Sequence, residues 1–136
     1  MANESTLVFE TELPIPFTVA DATGIEKGAL LKLTDPMTAI INSGVADNFA
    51  GIASSEKIAS DGRTRLGVYR AGIFKVSLSG ACTVGDALCT SSTANFVQQA
   101  PVTASGSKVI GFALETGATN ETILMDLNIG AGAALS

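Results

Sequence analysis

Apolar residues in this chain recur every second position and nowhere hold a sustained helical period. Phe74, Val76 and Leu78 alternate with Lys75, Ser77 and Ser79, and Ile123, Met125, Leu127 and Ile129 alternate with Leu124, Asp126 and Asn128. Leu31 and Leu33 bracket Lys32 in the same way. Side chains alternate across a strand, so each such run presents one apolar face. Gly and short polar clusters interrupt these runs every ~8–12 residues, the spacing of sandwiches and barrels. The reading is an all-β chain: a compact small β-barrel or β-sandwich with two similar halves, plus an extended N-terminal arm.

The halves rest on an internal echo. Gly28-Ala29-Leu30-Leu31-Lys32 is repeated by Gly85-Asp86-Ala87-Leu88-Cys89, a spacing of 85 − 28 = 57. Phe49-Ala50-Gly51-Ile52-Ala53 is repeated by Val109-Ile110-Gly111-Phe112-Ala113, a spacing of 111 − 51 = 60. Leu66-Gly67-Val68 has its counterpart in the strand from Ile123. Gly28, Gly51, Gly85 and Gly111 are expected to be structural glycines, supplying turn dihedrals or close strand packing. Asp61-Gly62 is expected to form a tight hairpin, Asp35-Pro36 to begin a type I turn, and Gly117 to Asn120 to form a hairpin loop. Ser91 to Ser107 reads as a long loop or short helix.

Leu7, Phe9, Leu13, Ile15, Phe17 and Val19 all stand at odd positions, so an extended N-terminal segment carries one apolar stripe. Pro14 and Pro16 share the other parity, which puts two missing N–H groups on one strand edge and leaves that strand able to pair on one side only. Residues 1–12 read as an arm, 13–129 as a single β-domain and 130–136 as a flexible tail. An unpaired apolar strand tends to find a sheet edge, either in its own chain or in a partner. Leu7, Val8, Phe9, Leu13 and Ile15 are the candidate interface with a partner or a sister subunit.

Composition narrows the function. Among 136 residues there is no His, which removes the commonest general base and the Ser-His-Asp and Cys-His mechanisms. No catalytic, cofactor or metal site is expected. Cys82 and Cys89 lack zinc-site pairing; they read as two buried small hydrophobes, a single bridge between them being the alternative. Gly24 to Gly28 lacks the Gly-Lys-Ser/Thr of a phosphate loop. The net charge is −5, and the eight basic residues are scattered, so nucleic acid is not an expected partner. No apolar run reaches the ~18 residues of a membrane span, and Met1 to Thr6 lacks the basic start of a signal peptide. Aromatics are 5% of the chain and Trp is absent, so the core is built from many small contacts, and self-association would add buried area.

The run Leu13-Pro14-Ile15-Pro16-Phe17-Thr18-Val19 followed by Ile25-Glu26-Lys27-Gly28-Ala29-Leu30-Leu31 resembles the opening of the bacteriophage capsid cement (head decoration) family. Phe49 to Ala53, Val68-Tyr69-Arg70-Ala71-Gly72-Ile73-Phe74, Val84-Gly85-Asp86-Ala87 and Lys108 to Glu115 resemble its later motifs in the same order. The resemblance spans about residues 13–129. It implies a non-enzymatic structural protein made in the host cytoplasm and carried on the outer capsid surface of the virion. There it would bind the major capsid protein, often as a homotrimer, and clamp neighbouring capsomers. A phage tail or baseplate β-subunit is the alternative. A carrier-type β-domain of an enzyme, with Lys27 as the modified lysine, is a more distant one.

Overall fold

A computed structural model describes residues 4–101 and 108–129. Among these residues there is no α-helix, and ten of the eleven strands build two closed barrels. The strands are β1 (Thr6–Phe9), β2 (Ile15–Thr18), β3 (Leu30–Asp35), β4 (Thr38–Ile41), β5 (Phe49–Ala53), β6 (Arg65–Tyr69), β7 (Ala71–Leu78), β8 (Ala87–Thr90), β9 (Phe96–Gln99), β10 (Gly111–Ala113) and β11 (Thr122–Asn128). The first barrel runs β2-β4-β3-β5-β6 and closes on itself. The second runs β7-β11-β10-β8-β9 and closes through a parallel β7–β9 pairing. Strand β1 adds to β7 from outside.

The repeat seen in sequence is therefore one barrel made twice, with β2 to β6 matching β7 to β11 in order, partner and direction. Backbone hydrogen bonds match position by position. Ile25 and Lys57 exchange both N–H···O bonds, as do Cys82 and Gly117. The Gly28 N–H donates to Ala53 O and the Gly85 N–H to Ala113 O; Ala53 N–H donates to Ala29 O and Ala113 N–H to Asp86 O. The Ser60 N–H reaches Asp21 O and the Asn120 N–H reaches Leu78 O. Each half is a complete barrel, so the two-halves reading holds with a closed sheet in each half.

Alternation sets each interior. Phe17, Val19, Ile25, Ala29, Leu31, Ala39, Ala50, Ala53, Leu66 and Val68 fill the first barrel. Phe74, Val76, Leu78, Leu88, Val97, Ile123, Met125 and Leu127 belong to the second core. Leu30, Phe49 and Ile52, from the other face of β3 and β5, join that second core. All five residues of β5 are buried, because the strand is packed on one side by its own barrel and on the other by its neighbour. Polar ties reinforce the joint: Leu30 N–H donates to Asn95 Oδ1 (3.1 Å), Ala46 N–H to Thr90 O (3.1 Å) and Asn42 Nδ2 to Ser91 O (3.2 Å). A buried polar group keeps its place only with such partners.

Local expectations fare unevenly. Pro36-Met37 turns β3 into β4, but Met37 has φ 50°, which is the type II pattern and not type I. Asp61-Gly62 lies inside a loop covering 54–64, not at a tight hairpin, because residues 57–61 fold back to pair with Ile25 and Asp21. Gly117 to Asn120 does sit in the loop between β10 and β11. Ser91 to Ser107 contains β9, while 102–107 and the 130–136 tail lie outside the described residues. The odd-position stripe of the N-terminus is split between β1 on one barrel and β2 on the other. Thr18 donates its N–H to Met37 O, so Pro14 and Pro16 face the same side, where β2 meets β4 only at the Thr18–Thr38 pair. The prolines thus occupy an edge that needs no donors.

Candidate docking surface

Strand β1 lies antiparallel to β7, with Thr6 opposite Lys75, Leu7 opposite Phe74 and Phe9 opposite Ile73. A register shift between Leu7 and Phe9 turns the end of the strand. Leu7 packs against the second core. Val8 is 37% exposed, Phe9 65% and Leu13 74%. Ile15 packs half-buried against the first core. The five residues singled out in sequence therefore do not share one stripe. Leu7 and Ile15 anchor the segment to its own two barrels, and Val8, Phe9 and Leu13 face outward around the β1–β2 connection.

The segment is tied at several points. Ser5 N–H donates to Gly28 O (2.8 Å), and Asn95 Nδ2 reaches Glu4 Oε2 (3.4 Å). Burial raises the Tyr69 phenol pKa, and a hydrogen bond with the nearby Glu10 carboxylate adds to it. Gly28 holds φ 88°, and a Cβ there would stand 2.2 Å from Ser5 O. Only glycine admits both that conformation and that approach. Gly51, at φ 147°, would place a Cβ 2.2 Å from Tyr69 O, and Gly111 would place one 2.1 Å from Asp126 O. These two lie within β5 and β10, where neighbouring backbone comes close. Gly85 has φ 91°, yet among the described residues nothing lies within 4 Å of where its Cβ would be.

Sequence reasoning missed the cluster at the end of the first barrel. Lys57 is fully buried, and its Nζ donates to Asp21 O (2.7 Å), Asp21 Oδ1 (3.3 Å), Ile58 O (3.1 Å) and Asp61 Oδ1 (3.1 Å). The Asp61 carboxylate also accepts the Arg63 and Ile58 N–H groups. Its pKa is held below the usual aspartate range, chiefly by the Arg63 N–H and further by Lys57, against some opposing desolvation. Every contact of Lys57 closes a loop, so the cluster is a structural plug. Cys82 and Cys89 are buried free thiols, their pKa values raised by that burial. Among the described residues no group of three or more His, Cys, Asp or Glu is placed to hold a metal.

The surface thus offers adhesion through backbone edge and apolar side chains. A family model described as phage cement protein matches residues 9–128. The chain belongs to the phage cement protein family. It is a bacteriophage virion protein with a structural role in the capsid. Among solved structures, this cement protein is similar to the head fiber gp8.5 N base of bacteriophage phi29, with a TM-score of 0.59 and 14% sequence identity over 90% of this chain and 98% of that one. Identity at that level speaks for a shared fold. No curated protein matches the cement protein's sequence.

Proposed function

We propose that the protein decorates the outer surface of a phage head as a homotrimer and cements neighbouring capsomers by binding the major capsid protein. The observation that carries this reading is the exposed apolar group of Val8 and Phe9 on β1 and Leu13 in the β1–β2 connection, a segment seated on β7 of the second barrel and tied to Gly28 of the first through Ser5. Exposed aromatic and aliphatic anchors on a rigid mount lose little entropy when they dock. Many copies on a symmetric shell reinforce one another, since each clamped capsomer holds its neighbours. The phi29 protein of similar fold is a head component by its description, which favours head over tail or baseplate.

The test replaces Phe9 and Leu13 by Asp. Both are exposed, so the melting temperature is expected to stay within a few degrees of the parent. Co-sedimentation with expanded heads is expected to fall at least about tenfold, as for loss of two anchors. Undiminished co-sedimentation of the folded variant defeats the reading, and light scattering of the free protein checks the trimer.

A further inference from the structure

The two barrels repeat the same glycine turn, and among the described residues only one of them is covered. At Gly28 an extended segment, Glu4-Ser5, lies across the turn and donates the Ser5 N–H to its carbonyl. At Gly85 the conformation is the same, with φ 91° against 88°, but among the described residues nothing lies within 4 Å of where a Cβ would stand. The Gly85 carbonyl accepts no hydrogen bond among the described residues. The first barrel therefore displays what kind of object sits on such a turn: an extended backbone that presents an N–H.

The rims of the two turns differ in chemistry. In the first barrel they carry Lys27 and Ser54. In the second the corresponding positions, 27 + 57 and 54 + 60, are Val84 and Leu114, which are 58% and 43% exposed. The Gly85 N–H bonds to Ala113 O and the Val84 N–H to Thr116 Oγ1 (3.0 Å), so the turn is laced on both sides of Leu114. The N-terminal segment of a second copy, Glu4-Ser5, suits the polar rim and not this apolar one.

We infer that the Val84-Gly85 turn and Leu114 form a second docking site, which takes an extended, apolar segment of a shell-protein subunit. The segment donates a backbone N–H to Gly85 O and places an aliphatic or aromatic side chain against Val84 and Leu114. The site rests on the capsid-binding reading above but uses different residues. It lies on the second barrel, whereas Leu13 stands on the approach to the first. One protein would then hold a shell through two separate contacts, and such linked contacts raise avidity well beyond either alone.

The experiment compares the parent with Val84→Asp/Leu114→Asp in co-sedimentation with expanded heads, after a thermal melt shows that the variant folds. A loss of at least tenfold in head affinity, with unchanged oligomeric mass by light scattering, is expected. Binding equal to the parent overturns the site while leaving the capsid reading intact; failure of the parent itself to bind removes both. A changed oligomeric mass with unchanged head binding makes this face a subunit interface and also overturns the inference. Should the double variant not fold, a photo-reactive benzoyl-phenylalanine at position 84 gives the same decision. Cross-links to the shell protein support the site, and cross-links to itself or to nothing overturn it.

Discussion

Lys57 and Gly117 occupy the same place in the two barrels, each exchanging paired backbone hydrogen bonds with its partner, Ile25 or Cys82. In the first barrel the Lys57 ammonium runs into a cage of Asp21 and Asp61 oxygens. In the second, the residue matching Asp21 is Leu78, which packs against Gly117 together with Ile123. One end is closed by charge and the other by hydrocarbon, on the same set of backbone bonds. The backbone pattern defines the fold, and the plug is exchangeable chemistry. The same contrast recurs at the glycine turns, where one is occupied by Glu4-Ser5 and the other is bare among the described residues.

Four tests, using six substitutions, probe this comparison. Gly51→Ala and Gly111→Ala strike what the barrels share, and should cost most: a methyl driven to about 2 Å from backbone oxygen is expected to lower stability by roughly 3–4 kcal/mol in both barrels alike. A large cost at one and none at the other would break the equivalence. Lys57→Met strikes what they do not share. It leaves Asp21 and Asp61 without their cation and the Asp21 and Ile58 carbonyls without their donor, for an expected loss of about 2–4 kcal/mol by chemical denaturation.

Gly28→Ala and Gly85→Ala sharpen the contrast further. Both incur the positive-φ penalty of about 1–2 kcal/mol. Gly28→Ala also pushes on Ser5, so amide exchange over Thr6–Phe9 should accelerate in that variant alone. The smallest effect is on acid stability. The Asp61 pKa is lowered in the folded state, so its contribution is present at pH above the unfolded value and lost as pH falls through the folded one. Asp61→Asn should flatten the acid limb of a pH-melting curve; an unchanged limb would remove Asp61 from the plug's electrostatics.

Much of this was legible in the chain. Alternation at Phe74–Leu78 and Ile123–Leu127 gave strands and their inward faces, and the 57- and 60-residue echoes fell on β3/β8 and β5/β10. What alternation does not carry is partnership. It says which side of a strand is greasy and not which strand lies beside it, so one shared barrel and two closed ones look alike. The unbroken apolar run Phe49–Ala53 was the available sign of burial on both faces. Lys57 stood between Glu56 and Ile58 like any surface lysine, because its Asp21 partner lies 36 residues away. The candidate interface was half legible. Periodicity chose Leu7, Phe9 and Leu13 together, but the shifted register at β1 sends Leu7 inward and leaves the other two outside.

The pairing of β1 with β7 also orders events at the ribosome. Thr6 is made 75 − 6 = 69 residues ahead of its partner Lys75, a delay of roughly 3–14 s at ordinary elongation rates. For that interval a greasy terminus waits with no template of its own. Glu10 and Glu12, set directly after Phe9, are the kind of charged gatekeepers that keep such a nascent segment from joining a stranger's edge before its own seat exists.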